Sequence, residues 1–203
     1  MKYLSIIFLS LSTYIPAIEY SSLHDQTYWY YDDEIADEGW HMGTVRSNLV
    51  QSDKLRFVIA EGTCDHVPTM FLTLTSNQIR EVIKTDRNFN IKNLEGRKIT
   101  FKSYIDKFDP FMINATINIA DEVDSVSSKF LIEFDDGMPR NFVSYSKRYN
   151  SSKFIEVMML EIPEDDPNYK YFDLTQIKFR MGGLVNVWMH AHELCLDTGE
   201  NYD

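Results

Sequence analysis

Short runs in which apolar and polar residues alternate dominate the pattern along this chain. Residues 55–60 (LRFVIA), 70–75 (MFLTLT), 98–104 (KITFKSY), 113–120 (INATINIA) and 129–134 (KFLIEF) combine β-branched and aromatic side chains with period-two spacing. That pattern predicts half-buried strands. In INATINIA it puts Ile113, Ala115, Ile117 and Ile119 on one face, with Asn114, Thr116 and Asn118 on the other. Asp135-Asp136-Gly137 reads as a turn after one run. Residues 154–162 (FIEVMMLEI) read as a further strand before the acidic, Pro-containing loop at 164–168.

Two segments carry helical signals. Residues 76–84 (SNQIREVIK) offer Ser76 or Asn77 as N-cap, although a strand continuation fits there too. From Leu174 the apolar positions run Ile177, Met181, Leu184, Trp188, Ala191 and Cys195, spaced alternately three and four apart, with Asp173 as a suitable cap. Gly182-Gly183 weakens this helix by about 1 kcal/mol per glycine relative to alanine, and Gly199 offers a stop. Many short strands, polar turns and one terminal helix predict a mainly β fold: an antiparallel β-sandwich-like single domain with a C-terminal α-helix.

The first residues change the setting. Lys2 precedes the apolar stretch 3–13 (YLSIIFLSLST), and Pro16-Ala17 can close a cleavage region, so 1–17 reads as a signal peptide with a cut as late as Ser22. The remainder, 23–203, is one domain long, and no other segment is apolar enough to span a membrane. A periplasmic or secreted location follows. The chain has two cysteines, Cys64 after a predicted strand and Cys195 on the helical stripe. In an oxidising compartment they are expected to pair. Closing a loop of about 130 residues is worth roughly 4–5 kcal/mol in the chain-entropy model.

Charge then narrows the partners. The formal net charge is −11, and loss of Lys2 with the signal takes it to −12. Such a field repels nucleic acid and anionic lipid and favours cationic partners. His190-Ala191-His192, with Glu193 beside it and His41 and His66 elsewhere, resembles a metal doublet. On a helix, however, residues two apart point in nearly opposite directions, so no metal site is expected. The acidic groups Asp32-Asp33-Glu34, Asp121-Glu122-x-Asp124 and Glu164-Asp165-Asp166 do not fit a calcium loop and read as solvated turns. There is no G-x-S-x-G elbow, Walker loop or G-x-G-x-x-G, and Ser144-Tyr145-Ser146-Lys147 reads as a coincidental Ser near a Lys, so the expectation is a protein that is not an enzyme and takes no cofactor.

The surface candidate is the aromatic–acidic segment. Tyr28, Trp29, Tyr31, Asp32, Asp33 and Glu34 together could dock a basic, partly apolar protein. The other reading puts Tyr28 and Tyr30 in the core of a first strand, with Trp29 and Tyr31 covering its rim. Two sequons, Asn114-Ala115-Thr116 and Asn150-Ser151-Ser152, matter only in a eukaryotic secretory route.

The order of features resembles exported β-sandwich proteins of the type VI secretion-associated VasI kind and, more distantly, the invasion-associated locus B family. The residues that carry this are Gly39-Trp40-His41, Cys64 at the end of a β run, KFLIEFDDG at 129–137, and Phe172-Asp173-Leu174-x-x-Ile177 leading to Cys195. By element order it spans residues 40–196. Gln176 stands where the family pattern has Gly, and Gly182-Gly183 interrupts the helix. Those families bring no catalytic residues to carry over, so the resemblance implies a non-catalytic binding or accessory protein of the cell envelope. An acidic inhibitor or immunity protein against a cationic hydrolase such as a lysozyme is the alternative, and an envelope-polymer hydrolase the third reading.

Overall fold

Alternation along the chain is realised as a single antiparallel sheet. The computed structural model describes residues 29–33, 36–47, 50, 52–86, 88–105, 109–123, 127–142, 157–173 and 175–199. The expected signal segment, Tyr28, Glu34 and the second sequon at Asn150 lie outside the described residues. In chain order the elements are β1 (Tyr30–Asp32), β2 (Trp40–Arg46), β3 (Lys54–Ala60), β4 (Thr69–Ser76), α1 (Ile79–Thr85), β5 (Lys98–Ile105), β6 (Phe111–Glu122), β7 (Ser128–Phe134), β8 (Val157–Glu161), β9 (Gln176–Arg180) and α2 (Leu184–Gly199). The strand order is β1-β2-β3-β4-β7-β6-β5-β8-β9.

The expected sandwich is therefore corrected to one curled sheet, a half-barrel. Strands β4 and β7 pair from Phe71↔Glu133 to Ser76↔Ser128, which joins the two strand groups edge to edge instead of stacking them face to face. The sheet curls far enough for Ser47, just past β2, to bridge Phe179 of β9. Period-two alternation is common to every half-buried strand and does not encode which strands pair. Core side chains line the concave face, among them Phe57, Leu72, Phe101, Phe130, Phe134 and Phe179.

A smaller cluster of Met42, Val58, Phe71 and Leu131 sits on the opposite face of β2, β3, β4 and β7, with Trp40 and Ile119 packed against it. Ile119 was expected beside Ile117. Instead the register against β7 shifts between Ile117 and Ile119, so Ala120 takes the core position and Ile119 turns to the outer cluster. One extra residue at such a bulge reverses every facing beyond it.

The long C-terminal helix divides in two. Residues 176–180 form strand β9, with Ile177, Phe179 and Met181 buried at period two, and α2 begins only at Leu184. Gly182-Gly183 is the break: Gly183 has φ +87°, a left-handed conformation that favours glycine. The Trp29 amide donates to Gly182 O at 3.3 Å, and a Cβ on Gly183 would stand 3.3 Å from Trp29 O. Asp173 caps no helix; its Oδ2 accepts from Asn77 N and Nδ2, each at 3.2 Å. Within α2, Leu184, Ala191 and Cys195 face the core, with Trp188 packed alongside.

Candidate functional site

The aromatic–acidic segment does not present the surface expected of it. Trp29 is only 5% exposed and stacks on Phe57 at 5.7 Å. Tyr31 is half-buried against the concave core, and Asp32, 8% exposed, accepts from Thr44 Oγ1 at 3.2 Å. Pairing of Tyr31 with Gly43 and Asp32 with Met42 fixes this alternation. Trp29 is thus a core residue and not the rim cover of the second reading, while Tyr28 lies outside the described residues. Of the six candidates, Asp33 is the one that the described residues leave exposed.

Cys64 and Cys195 form a disulfide, with Cα atoms 5.8 Å apart across a separation of 131 residues. It fixes α2 to the end of β3 and fits an oxidising compartment. No helix among the described residues is long and apolar enough to cross a membrane. The histidines of α2 diverge. The His190 ring meets Tyr31 edge-on at 5.1 Å, while His192 Nε2 stands 3.7 Å from Asp65 Oδ1. Among the described residues no group of three or more His, Cys, Asp or Glu is placed to hold a metal ion. The acidic loop has a structural use: Asp166 Oδ2 accepts from Thr100 N at 2.8 Å, and its Oδ1 accepts from Asn168 N at 2.8 Å.

A concave feature lies beside the loop that follows Cys64. A cleft of about 370 Å³ is lined by Val67, by the start of β6 from Phe111 to Asn114, and by the 134–140 segment after β7. Its volume falls within the usual range for ligand pockets, roughly 300–1,000 Å³. The Asp135-Asp136-Gly137 turn builds one wall. Gly137 has φ +65°, and a Cβ there would meet Pro68 O at 2.7 Å. That close approach lets Met138 N donate to Pro68 O at 2.8 Å, bringing the 67–68 loop beside the turn. Phe111, one of the lining residues, packs edge-on against Phe142 at 6.1 Å.

Two apolar side chains at this cleft face solvent: Val67 is 59% and Met112 55% exposed. Asp136 and Arg140 supply one charge of each sign. Next to it, Asp135 accepts from Thr116 Oγ1 at 2.7 Å and Lys98 Nζ at 2.9 Å. Burial works against the Asp135 carboxylate, but these two bonds hold it below the usual range. No histidine, serine or cysteine is among the cleft residues. The sequence reading missed this cleft. Its one local signal is the Asp-Asp-Gly turn, and its walls come from three segments far apart in the chain. Compared with protein-family models, curated proteins and solved structures, the chain finds no match.

Proposed function

We propose that this is an exported, non-catalytic binding or accessory protein that works through protein–protein contact at the 67/112/140 cleft. The observation that carries the reading is the pair of solvent-facing apolar side chains, Val67 and Met112, at a cleft also lined by Phe111 and Phe134. Exposed apolar groups beside a concave site, ringed by opposite charges, are the usual make-up of a recognition surface. The disulfide and the N-terminal sequence pattern support work outside the cytoplasm. The resemblance to the VasI and invasion-associated locus B proteins supports an envelope accessory role.

A net charge of −11 supports a second reading, an inhibitor of a cationic hydrolase. One experiment separates the two. The oxidised protein and its Val67→Asp/Met112→Asp variant are used to capture partners from envelope and secreted fractions at low and moderate salt. An accessory protein retains envelope-assembly components through the salt step, and the variant loses them. An inhibitor recovers one basic enzyme that salt releases. Equal capture by both proteins at either salt contradicts a role for the cleft.

A further inference from the structure

Four titratable side chains meet where α2 lies on the concave face. Tyr31 comes from β1, His41 from β2, Glu61 from the turn after β3 and His190 from α2. His41 is 3% exposed; its Nδ1 lies 2.9 Å from the Tyr31 hydroxyl, and its Nε2 stands 3.9 Å from Glu61 Oε1. With Nδ1 accepting the Tyr31 O–H, the neutral ring carries its proton on Nε2, towards Glu61. No hydrogen-bond partner reaches that buried Nε2 among the described residues. The Tyr31 ring stacks at 6.3 Å on His41 and meets His190 edge-on at 5.1 Å, so one tyrosine separates a buried imidazole from an exposed one.

We propose that this group is an acid-sensitive latch: it seats β1 and α2 on the sheet while His41 is neutral, and releases them when His41 becomes protonated. A proton added to Nδ1 ends its role as acceptor, so the Tyr31 hydroxyl must turn and accept instead. The same proton puts a positive charge in a buried site, with the His190 ring on the other side of Tyr31. Glu61 attracts that charge, but at 3.9 Å and 27% exposed it does so through partial screening. Burial is the largest influence and holds the His41 imidazole below its ordinary pKa; Glu61 raises it and His190 lowers it again. Around Tyr31, burial first and then Asp33 and Asp32 keep the hydroxyl protonated.

The sign follows from linkage. A folded-state pKa below the ordinary 6.5 means that the opened form binds the proton more readily. The latch therefore holds above about pH 6.5 and weakens as pH falls towards the folded value. The disulfide at Cys195 keeps the far half of α2 tethered, so what opens is β1, the Trp29–Phe57 stack and the first turns of α2.

The test is imidazole NMR and amide hydrogen exchange on the oxidised full chain between pH 7.5 and 5. His41 should titrate below 6.5. After correction for intrinsic exchange, opening of α2 amides before Ala191 should rise by up to about tenfold per pH unit, with β5–β7 unaffected. His190→Gln, at an exposed position, should raise the His41 pKa and flatten that rise. A His41 pKa at or above 6.5, unchanged α2 protection across the range, or identical behaviour of His190→Gln would overturn the latch.

Discussion

Single residues fix where this sheet can bend and what it tolerates. Gly43 on β2 faces Phe57 on β3, and a Cβ there would stand 2.2 Å from Phe57 Cε1. Gly43→Ala must push that fully buried ring aside, so a loss of about 1–3 kcal/mol is expected in urea unfolding. Asp53 is the buried carboxylate of the β2–β3 connection, 1% exposed, and its Oδ1 accepts from Thr75 N at 2.8 Å. Burial pushes its pKa up to about 6 against the Thr75 hydrogen bonds, with Asp173 adding to the rise. The folded state thus binds the proton more tightly than the unfolded chain. Its stabilisation is complete below about pH 4 and is lost as pH rises through 6, on the order of 2–3 kcal/mol in all. Asp53→Asn keeps an acceptor for Thr75 and should remove this component, leaving the variant more stable than the parent at pH 7.5. A parent whose stability between pH 4 and 6 does not fall relative to Asp53→Asn would count against the assignment. The sign is opposite to that of His41, so loosening in acid cannot originate at Asp53.

Elements show how far local pattern carries. The runs at 55–60, 70–75, 98–104 and 129–134 all became strands, because β-branched and aromatic residues at period two state both the element and its facing. The turn at Asp135-Asp136-Gly137 and the partnership of Cys64 with Cys195 were equally legible. Three features were not. The β6 bulge depends on pairing with β7, which its own alternation does not record. Residues 176–180 read as part of a helical stripe, but Ile177 and Phe179 also alternate at period two, and pairing of β9 with β8 makes them a strand. Trp29, just before β1, enters the core by stacking on Phe57 of β3, opposite Gly43 of β2, a contact that its own neighbours in sequence do not record. The disulfide belongs at this scale too, since it holds α2 on β3. Cys64→Ala/Cys195→Ala should lose about 2–5 kcal/mol in denaturant, with exchange protection falling first in α2.

For the whole molecule, fold class was legible and architecture was not. Mainly β with a C-terminal helix follows from the pattern; a half-barrel rather than a sandwich follows from β4–β7 pairing and the return of β9 to Ser47. The cleft is a property of that architecture. Val67, Met112 and Arg140 are distant in sequence and meet because β6 and β7 are neighbours while Pro68 docks on the Gly137 turn. Val123, 60% exposed at the far end of β6, provides a natural control. It stands roughly 35 Å from Met112 along the strand at about 3.4 Å per residue.

The central claim is that the cleft is the working surface. A photoreactive residue placed at position 112, and in a second protein at position 123, tests it most directly on the oxidised chain in source envelope and secreted fractions. One partner crosslinked from 112, absent from 123 and displaced by excess unmodified protein, is the predicted result. Crosslinking from 123 alone, or equally from both positions, would contradict it.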